Sequence, residues 1–149
     1  MKTSYHGIEQ IKTFEGFRSM PYHDIADKLT VGYGHLIVPG DGCVEGSPIT
    51  MGQATSLLQK DLGTAENCVN NNCPDLTQNQ FDALVSFTYN LGCAAFERST
   101  LLKFIKQGNI EAAAKEFPKW CMAGGKHSDS ILKRRFAEQD CFLHNIYKG

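Results

Sequence analysis

Three polar side chains near the N-terminus, Glu15, Asp24 and Thr30, stand in a stretch that is otherwise rich in apolar residues and glycine, Phe14 to His35. Two carboxyl groups facing one another are the minimum equipment for cleaving a glycosidic bond. One, protonated, donates to the departing oxygen; the other, ionised, activates water or stabilises the developing positive charge. Phe14 and Phe17 flank Glu15, and apolar neighbours that desolvate a carboxyl favour its protonated form, which suits the acid. Asp24 is expected on wetter ground, as the ionised partner. Thr30 does not titrate usefully, but its hydroxyl can hold a water beside Asp24. On residue type alone a single Glu or Asp is most often a solvated surface charge, so the grouping carries the argument.

The elements that must position these groups are legible nearby. Ile8, Ile11 and Phe14 recur at steps of three and mark the buried face of a helix that ends at Glu15. Gly16 lets the chain leave that helix. Pro21 opens an extended run, Ile25 to Lys28 read as a turn, and Leu29 to Gly34 as the returning strand. Such a hairpin brings Asp24 and Thr30 near each other, opposite the helix end that bears Glu15.

The pattern resembles the phage-type lysozymes, the endolysins of glycoside hydrolase family 24. Its carriers are Glu15-Gly16, Tyr22-His23-Asp24 and Thr30-Val31-Gly32-Tyr33-Gly34-His35, at intervals of nine and six between the three polar residues. The resemblance implies an α+β, lysozyme-like fold. A small lobe with a β-hairpin or sheet spans about 14–50, and a long helix over about 50–67 joins it to a larger helical lobe. That lobe takes in 68–149 and the N-terminal helix, with the cleft between the lobes. The resemblance further implies Glu15 as general acid, Asp24 as base or electrostatic stabiliser and Thr30 as the holder of water. Leu36, Tyr89, Asn90 and Arg134 are expected to bind substrate. For Tyr89 and Asn90 the plain alternative is core packing and helix termination before Gly92. An arginine of the run Lys133-Arg134-Arg135 is implied near Glu15. Either Arg134 or Arg135 fits, and by residue type alone the run reads as a solvated basic face.

Along the rest of the chain, Thr50-x-x-Gln53 and Thr77-x-x-Gln80 are capping boxes. The first opens a helix whose polar face, with Gln59, Lys60, Asp61 and Glu66, reads as solvated. The second opens the heavily apolar run around Phe81, Leu84, Val85 and Phe87, read as the central helix of the large lobe. Ser99 and Asn109 cap shorter helices, and Trp120 reads as a packing residue. Ala123-Gly-Gly-Lys126 reads as a flexible loop, and a last helix from about Asp129 presents Ile131, Leu132, Phe136, Cys141, Phe142 and Ile146.

A chain of 149 residues with 42% hydrophobic and 21% charged residues reads as one soluble domain with a real core. Its net charge of −1 lacks any global basic bias toward anionic walls, which leaves steering to local patches. No apolar window is long enough for a membrane span. The start, MKTSYHGIEQIK, has no apolar signal core, so export uses another route or a leader lies elsewhere. Six cysteines are many for a reduced cytosolic enzyme and fit work in an oxidising compartment, in the periplasm or outside the cell. Sequence alone allows 15 pairings of six; the pair nearest in sequence, Cys68 and Cys73, closes a short loop in a turn-rich stretch. No Cys-x-x-Cys occurs and the histidines are scattered, so neither a metal nor another cofactor is expected. Asp41 and Glu45 lack calcium-loop spacing.

The expected activity is hydrolysis of the β-1,4 bond between N-acetylmuramic acid and N-acetylglucosamine in peptidoglycan, with inversion. The expected partner is the bacterial wall, with no nucleic acid and no stable membrane insertion, and the expected state is a monomer. Two rivals stand beside it. A lytic transglycosylase cuts the same bond with one carboxyl acid and leaves 1,6-anhydro ends, which makes Asp24 and Thr30 superfluous. A silent wall-binding module needs none of the three.

Overall fold

A computed structural model describes residues 1–148 as two compact units. One is Ile11–Gly63; the other combines Met1–Gln10 with the chain from Thr64 onward. Helix α1, Tyr5–Glu15, contributes its first six residues to the latter and its last turn to the former.

In the unit Ile11–Gly63, Gly16 closes α1 at φ 73°, where its N–H reaches back to Lys12 O at 2.9 Å. Three strands follow in the order β1 (Arg18–His23), β2 (Leu29–Gly32) and β3 (His35–Leu36), antiparallel throughout. Tyr22 pairs with Thr30, and Thr30 in turn with Leu36. The turn expected at Ile25–Lys28 is present, with Asp27 at φ 59°. Helix α2, Met51–Asp61, starts at the Thr50/Gln53 capping box and lies on β2. Gly32 permits that approach: a Cβ there would stand 3.0 Å from the Ala54 Cβ. Ile11, Val31, Leu58 and Leu62 are fully or almost fully buried.

The single helix expected over about 50–67 is instead two. Helix α2 ends at Asp61, Leu62 caps it, and α3 runs Gly63–Asn72. Cys68 to Asn72, read as turn-rich, is therefore helical. The polar face of this region is also not simply solvated. Glu66 is 5% exposed and accepts from both the N–H and the hydroxyl of Thr3 at 2.7 Å.

In the helical unit, α4 (Gln78–Leu91) is capped by Thr77/Gln80 as expected and packs on α8 (Asp129–His144). Between them come α5 (Cys93–Arg98), α6 (Thr100–Lys106) and α7 (Ile110–Ala114), then a 3-10 turn at Phe117–Lys119. Ser99 Oγ accepts from Leu102 N and Asn109 Oδ1 from Ala112 N, both as anticipated for N-caps. The core is aromatic: Phe87 meets Phe96, Phe117 and Trp120 edge-on, with Trp120 at 5.5 Å between centroids.

Three expectations are corrected here. Ala123–Lys126 is no loose loop but the tip of a hairpin, β4 (Met122–Ala123) with β5 (Lys126–His127). Gly124 and Gly125 both sit at positive φ, the tight-turn geometry that glycine permits. On α8, Phe136 is 47% exposed and Ile146 lies beyond the helix, while the buried face carries Arg134, Arg135 and Glu138. Third, Cys68 is bridged to Cys93, with Cα atoms 5.9 Å apart, not to Cys73. Five residues along a helix climb about 7.5 Å and turn by about 140°, so Cys68 and Cys73 leave α3 in different directions. Cys43, Cys73, Cys121 and Cys141 remain as thiols, so the six cysteines make one bridge. Among the described residues no helix is long and apolar enough to cross a membrane.

Candidate active site

Glu15 is placed by the end of α1. Its carboxylate leans over the turn between β2 and β3, so that a Cβ added at Gly34 would stand 3.1 Å from Glu15 Oε1. Gly34 also adopts φ 78°. Two independent reasons therefore call for glycine there: the left-handed backbone, and the close approach of the carboxylate. Glu15 itself is half-buried.

Asp24 follows β1 and holds the hairpin turn. Its N–H donates to Lys28 O at 2.9 Å, and its Oδ1 accepts from Ala26 N at 2.9 Å and Lys28 N at 2.8 Å. This is an Asx-type turn, in which one carboxylate oxygen does the work of a backbone acceptor. Oδ1 is thereby fixed, and the orientation of Oδ2 is fixed with it. Thr30 is 4% exposed, and its hydroxyl donates to Lys28 O at 3.0 Å. With its proton so committed, the Thr30 oxygen faces any further partner as an acceptor.

Register decides which side chains meet. Residues paired across a sheet share a face, as do residues two apart on a strand. Tyr22, Thr30 and Leu36 form one such row, and Asp24 lies two residues from Tyr22. Thr30 and Leu36 thus share a face, on which Leu36 is 46% exposed, while Asp24 stands just beyond the end of β1, in the turn.

The other expected substrate-binding residues lie in the helical unit. Tyr89 is half-buried and Asn90 exposed, in the last turn of α4. Asn90 Oδ1 accepts from Arg135 Nη2. Arg134 is 7% exposed; its guanidinium donates to Ser86 O at 3.1 Å, to Ser86 Oγ at 3.2 Å and to Glu138 Oε2 at 3.2 Å. The solvated basic face read from residue type is absent for both arginines: Arg135 is fully buried and stands 3.0 Å from Glu138 Oε1, outside hydrogen-bond alignment. Burial works against both charges. It pulls Arg135 below its ordinary pKa and pushes Glu138 above its own, against their mutual attraction and that of Arg134 for Glu138. Ser86 and Glu138, which complete this cluster, carry no sequence signal: each is one polar residue inside a helix.

A second cluster was also unforeseen. His35, 6% exposed, has Nδ1 at 2.7 Å from Asp61 Oδ2 and Nε2 at 2.7 Å from Asp41 Oδ2. With a carboxylate on each nitrogen the imidazole donates from both. Burial opposes its charge, but the two carboxylates outweigh burial and raise the pKa. Asp41 also accepts from Val38 N and Cys43 N, and the Val38 bond contributes most to holding its carboxyl well below the usual range.

The family model for phage lysozyme matches residues 12–138. An endolysin of Bacillus phage PZA is 40% identical over 145 residues, which are 95% of this chain and 55% of that protein; the chain thus spans about half of that relative's length. An endolysin of Acyrthosiphon pisum secondary endosymbiont phage 1 is 38% identical over 95% of this chain and 98% of its own. Among solved structures, an endolysin from an Escherichia coli phage, FAHEc1, superposes with a TM-score of 0.91 at 36% identity, covering 100% of this chain and 98% of that one. The α+β lysozyme fold is shared, and the chain belongs to the phage lysozyme family.

Proposed function

We propose that this chain hydrolyses bacterial peptidoglycan as an N-acetylmuramidase, cutting the β-1,4 bond between N-acetylmuramic acid and N-acetylglucosamine with inversion. The observation that carries the reading is the acceptor geometry on the hairpin. Asp24 offers Oδ2 and Thr30 offers a hydroxyl oxygen whose own proton is engaged on Lys28 O. A water between them donates one hydrogen to each and turns a lone pair outward. That is the orientation a nucleophile needs, with Asp24 taking the proton as base.

Glu15 supplies the other proton, to the departing glycosidic oxygen. Gly34 beneath its carboxylate keeps that side of the group free of a side chain. Leu36, paired with Thr30 across β2 and β3 and exposed, gives a sugar ring apolar contact. Tyr89, Asn90 and Arg134 serve substrate binding, with Asn90 held by Arg135. The site of action is the cell wall, in the periplasm or outside the cell, and the catalytic unit is the monomer.

A lytic transglycosylase makes no use of the paired acceptors at Asp24 and Thr30. Product analysis separates the two readings. Digestion of purified walls yields reducing ends that carry the added water, and proton NMR of the first product shows the α-anomer. Glu15→Gln abolishes lysis in a folded protein. Asp24→Asn keeps an oxygen to cap the turn but loses the base, so activity falls with little loss of stability. 1,6-Anhydro ends, a first-formed β-anomer, or wild-type lysis by Glu15→Gln refutes the assignment.

A further inference from the structure

His35, Asp41 and Cys43 present three different ligand chemistries to one point. One atom of each (imidazole nitrogen, carboxylate oxygen, thiol sulfur) lies within 4.8 Å of the other two. The exposures of the His35 and Asp41 side chains are 7% and 5%, so the donors are held by packing and not by a mobile surface. Asp61 accepts from His35 Nδ1 at 2.7 Å, which fixes the ring and directs Nε2 at Asp41. A carboxylate behind the imidazole is the usual support of a metal-bound histidine. A cavity of about 350 Å³ opens beside Asp41 and Cys43, lined also by Gln53, Ser56 and Lys60, and gives an entry path and room for a water ligand. The comparable group of Cys68, Cys93 and Glu97 offers no thiol, since both sulfurs are in the disulfide.

We propose that His35 Nε2, an Asp41 carboxylate oxygen and Cys43 Sγ bind a zinc-type divalent transition metal, with Asp61 as the orienting partner of His35. Bonds of about 2.0–2.3 Å in a tetrahedral site set ligand atoms about 3.3–3.8 Å apart. From the present geometry His35 and Asp41, now 2.7 Å apart, open by about 0.6 Å, while the sulfur, already within 4.8 Å of both, adjusts to the same spacing. Gly40 and Gly42, on either side of Asp41, both at positive φ with open space around them, allow such an adjustment. The exchange balances. The dication enters as the Nε2 proton leaves His35 and the thiol proton leaves Cys43, so the charge of the site is unchanged and affinity weakens toward acid. Bound metal ties the loop bearing Asp41 and Cys43 to β3.

The test uses the whole chain with its disulfide intact, in thiol-free, metal-free buffer. Titration with Co²⁺ is expected to produce a thiolate-to-cobalt charge-transfer absorption that Zn²⁺ removes. The band persists in Cys121→Ser, whose native thiol stands 3.5 Å from His127 Nδ1 and forms a competing sulfur–imidazole pair. It vanishes in Cys43→Ser, and Asp61→Asn weakens zinc binding by about 10–100-fold. Zinc also slows alkylation of Cys43 in the unaltered protein, read by peptide mass mapping. The proposal is overturned by absence of the band, by a band that survives Cys43→Ser, or by alkylation of Cys43 at the same rate with and without zinc.

Discussion

Reduction of the Cys68–Cys93 bridge provides a quantitative test of the fold. The bridge spans a sequence separation of 25 and encloses α4. In the chain-entropy account, a loop of that size removes about 12 cal/mol/K from the unfolded ensemble, or about 3.5 kcal/mol at 25 °C. A bridge between Cys68 and Cys73 would close only five residues and contribute about 2 kcal/mol. Urea unfolding of oxidised against reduced protein is therefore expected to differ by about 3.5 kcal/mol, and the melting temperature by about 7–14 °C for a chain of this size. Cys93→Ala reproduces the reduced behaviour, whereas Cys73→Ala leaves the bridge and its stabilisation in place. Thiol titration of the denatured, unreduced protein gives four free thiols in the native chain. Six thiols, a stability difference below about 1 kcal/mol, or loss of the bridge in Cys73→Ala would refute the reasoning.

Other perturbations test other parts of the argument. Gly34→Ala puts a Cβ 3.1 Å from Glu15 Oε1 at a backbone φ of 78°. It should destabilise by about 1–2 kcal/mol and depress wall lysis in a turbidity assay; unchanged lysis would show that the Glu15 position does not depend on this contact. Glu138→Gln removes the carboxylate that faces the fully buried guanidinium of Arg135. The expected cost in urea unfolding is about 3–5 kcal/mol, and a value near zero would mean that Ser86 and Asn90 suffice. Burial pushes the thiols of Cys73 and Cys141 up to about 11 and about 12. At pH 8 their thiolate fractions are then roughly 10⁻³ and 10⁻⁴, so iodoacetamide should label half-buried Cys121 first and both buried thiols far more slowly. As pH rises, Cys73 gains thiolate before Cys141. Mass mapping that finds Cys141 labelled before Cys73 would contradict the burial assigned to each.

The amino-acid sequence by itself determined whatever is settled within a few residues. Thr50 and Thr77 accept from backbone N–H groups three residues on. The Asp24 turn is closed by Ala26 and Lys28, and Gly16 ends α1 within one helical turn. These contacts require no knowledge of the rest of the fold, and they are the ones that place Asp24 and Thr30 on one hairpin. What lay outside its reach joins residues far apart along the chain. Cys68 meets Cys93 because α3 turns Cys73 away. Arg134 and Arg135 are buried because Glu138 and Ser86, the latter 48 residues before Arg134, provide for their charge. Asp61 reads as a solvated helix residue until α2 brings it to His35, 26 positions away. A charged side chain is buried only where a partner of opposite sign is delivered to it, and that delivery is decided by how helices and strands pack, which no local pattern of residues encodes.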